Sequence, residues 1–375
     1  MKKILVVSHV YSHPTNVGNK RYIVDYCSAL QSMGADVYFL YIGPHEEFSE
    51  KETRKYWGSN FFSIHQNKLC LLISKLRRFV SERIFKQSSL DYFTVFRLAS
   101  KVRKIENLIN NEIIIVNYYW LSKLLLSSLA TTKAIMTHDC FTNKYERVGL
   151  PFFSMSPNDE QKYLRRSNLI LSIQEEETSF FNYLAPSIKK LTIYPPVKFV
   201  HQDIVDNFNL IYLASNNKLN LDGIEWFLND IYPSLRQRYT SLNLRIGGNI
   251  VKSLNRYVNM PGVELVGMVE NIDDFYATGN IVINPTLNGT GLKIKTIEGI
   301  SYGKIVITSE HSSKGLFDNK DIPTIIGKTV EDYLNIFDQI MKDSHIFIKT
   351  QERCNKYICD MNNYTHKSLS EILKI

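Results

Sequence analysis

The chain has 375 residues, 44% of them hydrophobic and 22% charged. That is enough for two globular domains with real cores, and it argues against a disordered or low-complexity protein. The net charge of +8 fits an anionic partner such as a nucleotide or an anionic lipid face, while no zinc-finger spacing, RNP-like aromatic motif or helix-turn-helix pattern points to nucleic acid.

Five cysteines (Cys27, Cys70, Cys140, Cys354, Cys359) are scattered, and no pair has C-x-x-C spacing. An odd count of this kind argues against a disulfide framework or zinc site and for a reducing compartment. The apolar start, Met1 to His9, is broken by Ser8 and His9 and has no small-residue cleavage site after it. It reads as a first strand and not as a signal peptide. No stretch approaches the roughly 18 apolar residues of a spanning helix. The expectation is a cytoplasmic protein, soluble or peripheral at the inner face of the cytoplasmic membrane.

Ile4 to Ser8 reads as an apolar strand. Arg21 to Met33 reads as a helix with Ile23, Cys27 and Leu30 on one face, closed by Gly34. Gly18 and Asn19 fall in the loop before it. They either bring backbone close to a phosphate or an acceptor, or form a plain turn and cap. The loop from Val10 to Gly18 lacks G-x-G-x-x-G, which speaks against a dinucleotide dehydrogenase.

Further strands read at Val37–Tyr41, Ile113–Asn117, Ala134–Thr137 and Leu169–Ile173. Short apolar runs separated by helical segments imply a parallel, doubly wound sheet. Lys68 to Lys86 is basic and apolar at helical spacing. It is either an interfacial helix docking on anionic lipid or an amphipathic helix covering the sheet. Tyr118-Tyr119-Trp120 is either a sugar-stacking platform or core and rim packing. His138, in Thr137-His138-Asp139, either meets a ligand or bonds to backbone at a strand end. Glu175-Glu176-Glu177 reads as an acidic helix N-terminus.

Pro186 to Phe208 lacks periodicity and contains Pro195-Pro196, so it reads as an interdomain linker. The alternation then restarts. Leu210–Leu213, Leu242–Ile246, Val263–Leu265, Ile281–Ile283 and Ile305–Thr308 read as strands, and Asp222–Arg236 reads as a helix. Asp273-Asp274 has no third ligand nearby and reads as a helix cap. The chain reads as helical after Val330, with a final helix near His366–Leu373 packing back on the first domain.

The most informative segment runs from Asn284 to Thr308. An apolar strand enters a loop containing Gly289 and Gly291, and the loop opens a helix. Glycines let backbone N–H groups approach an anion, and the helix N-terminus and its dipole favour a phosphate. Lys293 and Lys295 add positive charge, and Glu298, one turn on, is placed to accept hydrogen bonds from ribose hydroxyls. The alternative is a generic strand–loop–helix junction with an ordinary Lys295–Glu298 surface pair.

With these motifs in this order, the chain resembles family 4 of the glycosyltransferases, the group 1 glycosyltransferases of the GT-B fold. Asn284 to Leu316 looks like that family's diphosphate loop and helix. Ser215 to Phe227 resembles the first strand–loop–helix of its C-terminal domain, and Thr137-His138-Asp139 with Ser172 to Glu177 resembles the end of its N-terminal domain.

The resemblance implies an α/β protein of two Rossmann-like domains facing a central cleft. Residues 1–195 would form the acceptor-side domain, 196–360 the nucleotide-sugar domain, and 361–375 a C-terminal helix crossing back. It implies retaining transfer of a sugar from a nucleotide diphosphate sugar to a saccharide or lipid-linked acceptor, without bound cofactor or metal. His138, Lys293 and Lys295 would be the catalytic residues, with His138 near the donor sugar. Gly289, Thr290, Gly291, Leu292, Glu298, Asn216 and Lys218 would hold the donor, and Gly18 and Asn19 the acceptor or a phosphate.

Three positions depart from the family pattern. Thr290 stands where many members carry the first of two glutamates separated by seven residues, the second position here being Glu298. Asn216, Asn217 and Lys218 stand where many have an Arg and a Lys. Gly299 stands where Ala is usual, at a helix-propensity cost of roughly 0.5–1 kcal/mol. A nucleotide-sugar epimerase of the same fold and a non-catalytic nucleotide-sugar-binding partner are the other readings, and Thr290 sustains the second of these.

Overall fold

The computed structural model describes residues 1–375 except 16–17, 67–68, 70–71, 74, 77–78, 81–90, 92–96, 150–152, 206–208, 318–320 and 344. Most of the basic stretch from Lys68 to Lys86 therefore lies outside the described residues. The chain divides into two compact units. Met1–Pro196 and Asn363–Ile375 form the first, and Val197–Asn362 the second.

The first unit is built on seven strands: Lys3–Ser8 (β1), Asp36–Gly43 (β2), Phe61–His65 (β3), Ile113–Asn117 (β4), Thr132–Met136 (β5), Leu169–Ser172 (β6) and Lys189–Thr192 (β7). They form one sheet in the order β3-β2-β1-β4-β5-β6-β7, with every pairing parallel. Parallel strands buried on both faces need continuous apolar runs, and Ile4 to Val7 and Ile113 to Val116 supply them. One face packs Leu5, Val7, Ile114 and Val116 against Leu98, Val102 and Ile109 of the helix Leu98–Ile109.

The second unit has six strands: Asn209–Leu213 (β8), Asn243–Gly247 (β9), Val263–Gly267 (β10), Ile281–Asn284 (β11), Ile305–Thr308 (β12) and Thr324–Ile326 (β13). Their order is β10-β9-β8-β11-β12-β13, again parallel throughout. Alternate residues of the inner strands (Leu210 and Tyr212, Ile281 and Ile283, Ile305 and Ile307) pack with Ile224, Phe227 and Tyr333 on one face, as the period of two requires. The helix Ile294–Ser301 covers the other face. A Cβ at Gly299 would lie 3.0 Å from a Val306 methyl and 3.1 Å from a Val282 methyl, so the glycine reflects close helix–sheet contact.

Several expectations need correction. β3, β7 and β13 were not legible as strands, and β7 falls inside the stretch read as a linker. All three are sheet edges; β7 and β13 are short, and β7 carries two lysines. The helix expected from Asp222 to Arg236 is three segments: Lys218–Trp226, a π turn at Phe227–Ile231, and Tyr232–Arg238. Pro233 has no N–H to donate four residues back, which favours the wider turn before it. The cap near residue 273 is Asn271. Its Oδ1 accepts from the backbone N–H of Asp273 and Asp274, which occupy the first turn.

The final helix is one 29-residue rod, Ile346–Lys374, shared between the units. In the second unit, Asn362 clasps the backbone of Val197: its Nδ2 donates to the Val197 carbonyl at 2.7 Å and its Oδ1 accepts from the Val197 N–H at 3.2 Å. From Asn363 on, the helix packs in the first unit. Thr365 Oγ1 donates to the Tyr194 carbonyl at 3.2 Å, and Glu371 pairs with Lys189 at 2.9 Å.

Candidate functional site

Strand order reverses at two places, between β1 and β4 in the first unit and between β8 and β11 in the second. Loops leaving the C-terminal ends of adjacent strands diverge there, which opens a crevice for a ligand. Each unit places a distinct side-chain cluster at its own reversal.

In the second unit the loop after β11 runs from residue 285 to Lys293, the N-cap of the helix Ile294–Ser301. Gly289 and Gly291 have φ of 139° and 73°, a region where L side chains are strained. The loop is anchored from inside. Asn284 Nδ2 donates to Thr296 Oγ1 at 2.9 Å, Thr286 Oγ1 donates to Asn284 Oδ1 at 3.0 Å, and Ser312 Oγ donates to the Thr286 carbonyl at 2.9 Å. A Cβ at Gly223 would lie 2.7 Å from the Pro285 carbonyl oxygen. Glycine there lets the helix Lys218–Trp226 press against the loop.

The two lysines differ. Lys293 Nζ donates to the Gly291 carbonyl at 3.1 Å. Lys295 Nζ donates to Asn220 Oδ1 and lies 5.8 Å from the centre of the Tyr212 ring. Asn220 is itself oriented by donating Nδ2 to the Ser215 carbonyl at 2.9 Å. Burial, with the Lys293 charge second, pulls the Lys295 pKa down to about 8, while Glu298 pulls it the other way. Glu298 Oε2 accepts from Tyr276 OH at 3.2 Å, and Tyr276 stacks on Tyr302 with centroids 4.2 Å apart.

Of the residues expected to hold a donor, Gly289, Thr290, Gly291 and Leu292 share this loop, and Lys293, Lys295 and Glu298 open its helix. Asn216 and Lys218 are turned elsewhere. Asn216 Oδ1 accepts from Ser253 Oγ at 3.0 Å, and Lys218 pairs with Asp222 at 2.7 Å on an exposed face. Asn220 is what joins this helix to Lys295.

His311 was also missed. A Cβ at Gly289 would lie 3.6 Å from its Nε2, which is buried and has no hydrogen-bond partner among the described residues. Burial and then the charges of Lys293 and Lys314 lower its pKa to about 4. It is thus a neutral imidazole aimed at the glycine loop. Nothing in its sequence neighbourhood signals this, because the contact comes from the turn after β12.

In the first unit the cluster is aromatic. Tyr118 stacks on His138 at 4.1 Å and on Trp120 at 4.6 Å. Trp120 Nε1 donates to His9 Nδ1 at 2.8 Å. Asn19, at the start of the helix Gly18–Ser32, donates Nδ2 to Tyr118 OH at 3.3 Å, and Gly18 is the first residue of that helix. His138 Nε2 lies 2.7 Å from Asn117 Oδ1. Asn117 Nδ2 is committed to the Val7 carbonyl at 3.2 Å, so its Oδ1 accepts, which assigns the proton to Nε2 and leaves Nδ1 an acceptor.

Burial holds His138 near 3, with His9 second among the causes, and burial alone holds His9 near 4. His138 has φ of 60° and Tyr118 has φ of 69° with ψ of 160°. Such backbone costs on the order of 1–3 kcal/mol per residue and collects at functional loops.

Residues 207–343 match the family model described as glycosyl transferases group 1. That match lies within the second unit. An uncharacterized 44.6 kDa protein in the cps region of Klebsiella pneumoniae is 24% identical over 139 residues, which are 34% of this chain and 36% of that protein. The match thus spans about a third of that relative's length.

Across the whole chain, similar solved structures include a glycosyltransferase from Rickettsia africae (TM-score 0.68, 14% identity, 100% of this chain and 98% of that one). A sucrose-phosphate synthase from Thermosynechococcus elongatus gives TM-score 0.67 at 12% identity, covering 100% and 98%. HepE of Anabaena in complex with UDP and glucose gives 0.67 at 11%, covering 99% and 100%. The fold is GT-B. No helix among the described residues is long and apolar enough to cross a membrane.

Proposed function

We propose that this protein is a retaining glycosyltransferase. It transfers a sugar from a nucleotide diphosphate sugar to a saccharide or lipid-linked saccharide in cell-surface glycan synthesis, at the inner face of the cytoplasmic membrane. One observation carries the reading. In the segment that matches the group 1 family, a glycine loop, a helix N-terminus and two lysines converge at the strand-order reversal of the second unit. That arrangement suits a diphosphate. The Anabaena relative is described in complex with UDP-glucose, which supports a donor of this class.

In this reading the 289–292 backbone and Lys293 bind the phosphates, and Glu298, steadied by Tyr276, binds the ribose. Lys295 is held by Asn220 before any ligand arrives. When the bond from the anomeric carbon to the diphosphate oxygen breaks, its electrons pass to the leaving phosphate. Lys293 and Lys295 stabilise that charge without a metal. His311 offers a neutral donor to the same group. His138 is assigned a role toward the donor sugar, for which its enforced neutrality and open Nδ1 suit it. Gly18 and Asn19 are assigned to the acceptor.

Thr290 favours a second reading, a non-catalytic protein that binds a nucleotide sugar, because a hydroxyl stands where many relatives carry a carboxylate. Calorimetry against UDP, GDP, ADP, CMP and common nucleotide sugars tests both. Binding of one nucleoside diphosphate, lost in Lys295→Ala and Glu298→Ala, supports the site. Binding without sugar transfer to any tested acceptor selects the second reading. No binding by folded protein rejects both.

A further inference from the structure

A second group of reactive side chains lies in the first unit, where the residues after β2, the helix Glu47–Trp57 and the end of β3 converge. His45 Nε2 is 3.3 Å and His65 Nε2 2.8 Å from Glu50 Oε2. The three candidate ligand atoms all lie within 4.8 Å of one another. The imidazole rings meet edge to face with centroids 4.8 Å apart.

The carboxylate is divided between two tasks. Its Oε1 accepts from Arg54 NH2 at 2.9 Å and from Ser63 Oγ at 3.2 Å, which fixes the group between helix and strand. Its Oε2 is buried and receives no hydrogen bond of normal geometry among the described residues, although two ring nitrogens face it. With Oε1 committed to helix and strand, Oε2 is the carboxylate oxygen that faces both ring nitrogens.

The secondary structure holds them there. Gly43 and His65 are register neighbours on β2 and β3, and Gln66 N–H donates to the Gly43 carbonyl at 2.9 Å.

We propose that His45, Glu50 and His65 bind one divalent transition-metal ion, of which Zn²⁺ is the best match. Two imidazole nitrogens and one carboxylate oxygen are the ligand types zinc takes, with bonds of about 2.0–2.2 Å. Tetrahedral bonds of that length place ligand atoms about 3.3 Å apart. That is the His45–Glu50 separation, and the His65–Glu50 separation falls 0.5 Å short of it, by subtraction of 2.8 from 3.3 Å. Calcium and magnesium prefer all-oxygen shells and are poorly served here.

His45 and His65 side chains are 57% and 37% exposed, so water completes the shell and the ion enters from solvent. The ion would clip the loop after β2 to the edge strand β3. It takes no part in the sugar-transfer reading, and the two stand or fall separately.

The test uses the full chain, free of any affinity tag and stripped with a chelator. Zn²⁺ is titrated by calorimetry, and Co²⁺ binding is followed by visible absorption. The expected result is one ion per chain, with affinity falling about ten-fold or more in His45→Ala and in His65→Ala and unchanged in Cys359→Ser. Zn²⁺ raises the Tm of the parent protein and not that of His45→Ala. The metal-free Tm of His45→Ala, a half-exposed loop position, shows that the loss is not misfolding. Absence of binding in the parent, or binding that survives His45→Ala/His65→Ala, overturns the proposal.

Discussion

The two strand-order reversals share one topology and carry opposite chemistry. In the second unit, the crevice between the loops after β8 and β11 is lined with glycine backbone, two lysines and polar anchors. In the first, the loops after β1, β4 and β5 bring together His9, Tyr118, Trp120 and His138, whose imidazoles burial keeps neutral. A doubly wound sheet decides where a crevice opens. The side chains in the loops decide whether it suits a polyanion or a neutral, stackable ring.

Substitutions that separate the two clusters sharpen the contrast. Lys295→Ala should give the largest effect. It removes a desolvated charge from the first turn of the helix after the glycine loop, and nucleoside diphosphate Kd should rise by about 30-fold or more, on the order of 2 kcal/mol. His138→Ala should leave that Kd within about two-fold while lowering transfer; a fall in nucleotide affinity of Lys295→Ala size would erase the distinction.

Binding by the second cluster should also depend on pH. Free Lys295 titrates near 8 and its ordinary value is 10.5. A bound anion favours the charged form, so affinity should fall as pH rises above 8, by up to about ten-fold per unit. Stability runs the other way. Between 8 and 10.5 the unfolded chain holds more protons than the folded one, so the Lys295 contribution to stability rises with pH across that window. Calorimetry at pH 7, 8 and 9 beside Tm at the same values reads both slopes. Parallel slopes would mean that Lys295 is not the titrating group.

Gly223→Ala tests the packing behind the phosphate loop. Its Cβ would meet backbone at 2.7 Å, and backbone moves less readily than a side chain. A cost of about 1–3 kcal/mol should appear as a lower Tm together with weaker nucleotide binding. Trp120→Phe should be milder. It removes the hydrogen bond from Trp120 Nε1 to His9 Nδ1 at a cost of about 1 kcal/mol, visible in Tm, with nucleotide Kd unchanged. Gly299→Ala should be the smallest. Helix propensity favours alanine by roughly 0.5–1 kcal/mol, but two valine methyls within 3.0–3.1 Å oppose it. A gain of a full 1 kcal/mol would show that the sheet yields more than its packing suggests.

The inner strands and the glycine loop were legible from the chain because their cause is local. Strands buried on both faces need unbroken apolar runs, such as Ile113 to Val116, and the tight loop places Gly289 and Gly291 just before a helix start. The edge strand β10 was legible, but β7 and β13 were not, since Lys189–Thr192 and Thr324–Ile326 are short, and the first carries two lysines. Asn216 and Lys218 were assigned by position in the chain and turn instead to Ser253 and Asp222.

What the sequence determined by itself was the order of the inner strands, the α/β class and the glycine-rich strand–loop–helix segment. These follow from periodicity and from residues adjacent along the chain. Tertiary structure alone decided that Asn220 holds Lys295 across 75 positions, that His311 faces the glycine loop, and that Glu50 draws together His45 and His65. Each depends on where separate strands end beside one another, and burial moves Lys295 and His311 from their ordinary pKa values. Neither can be read from residues before the sheet has formed.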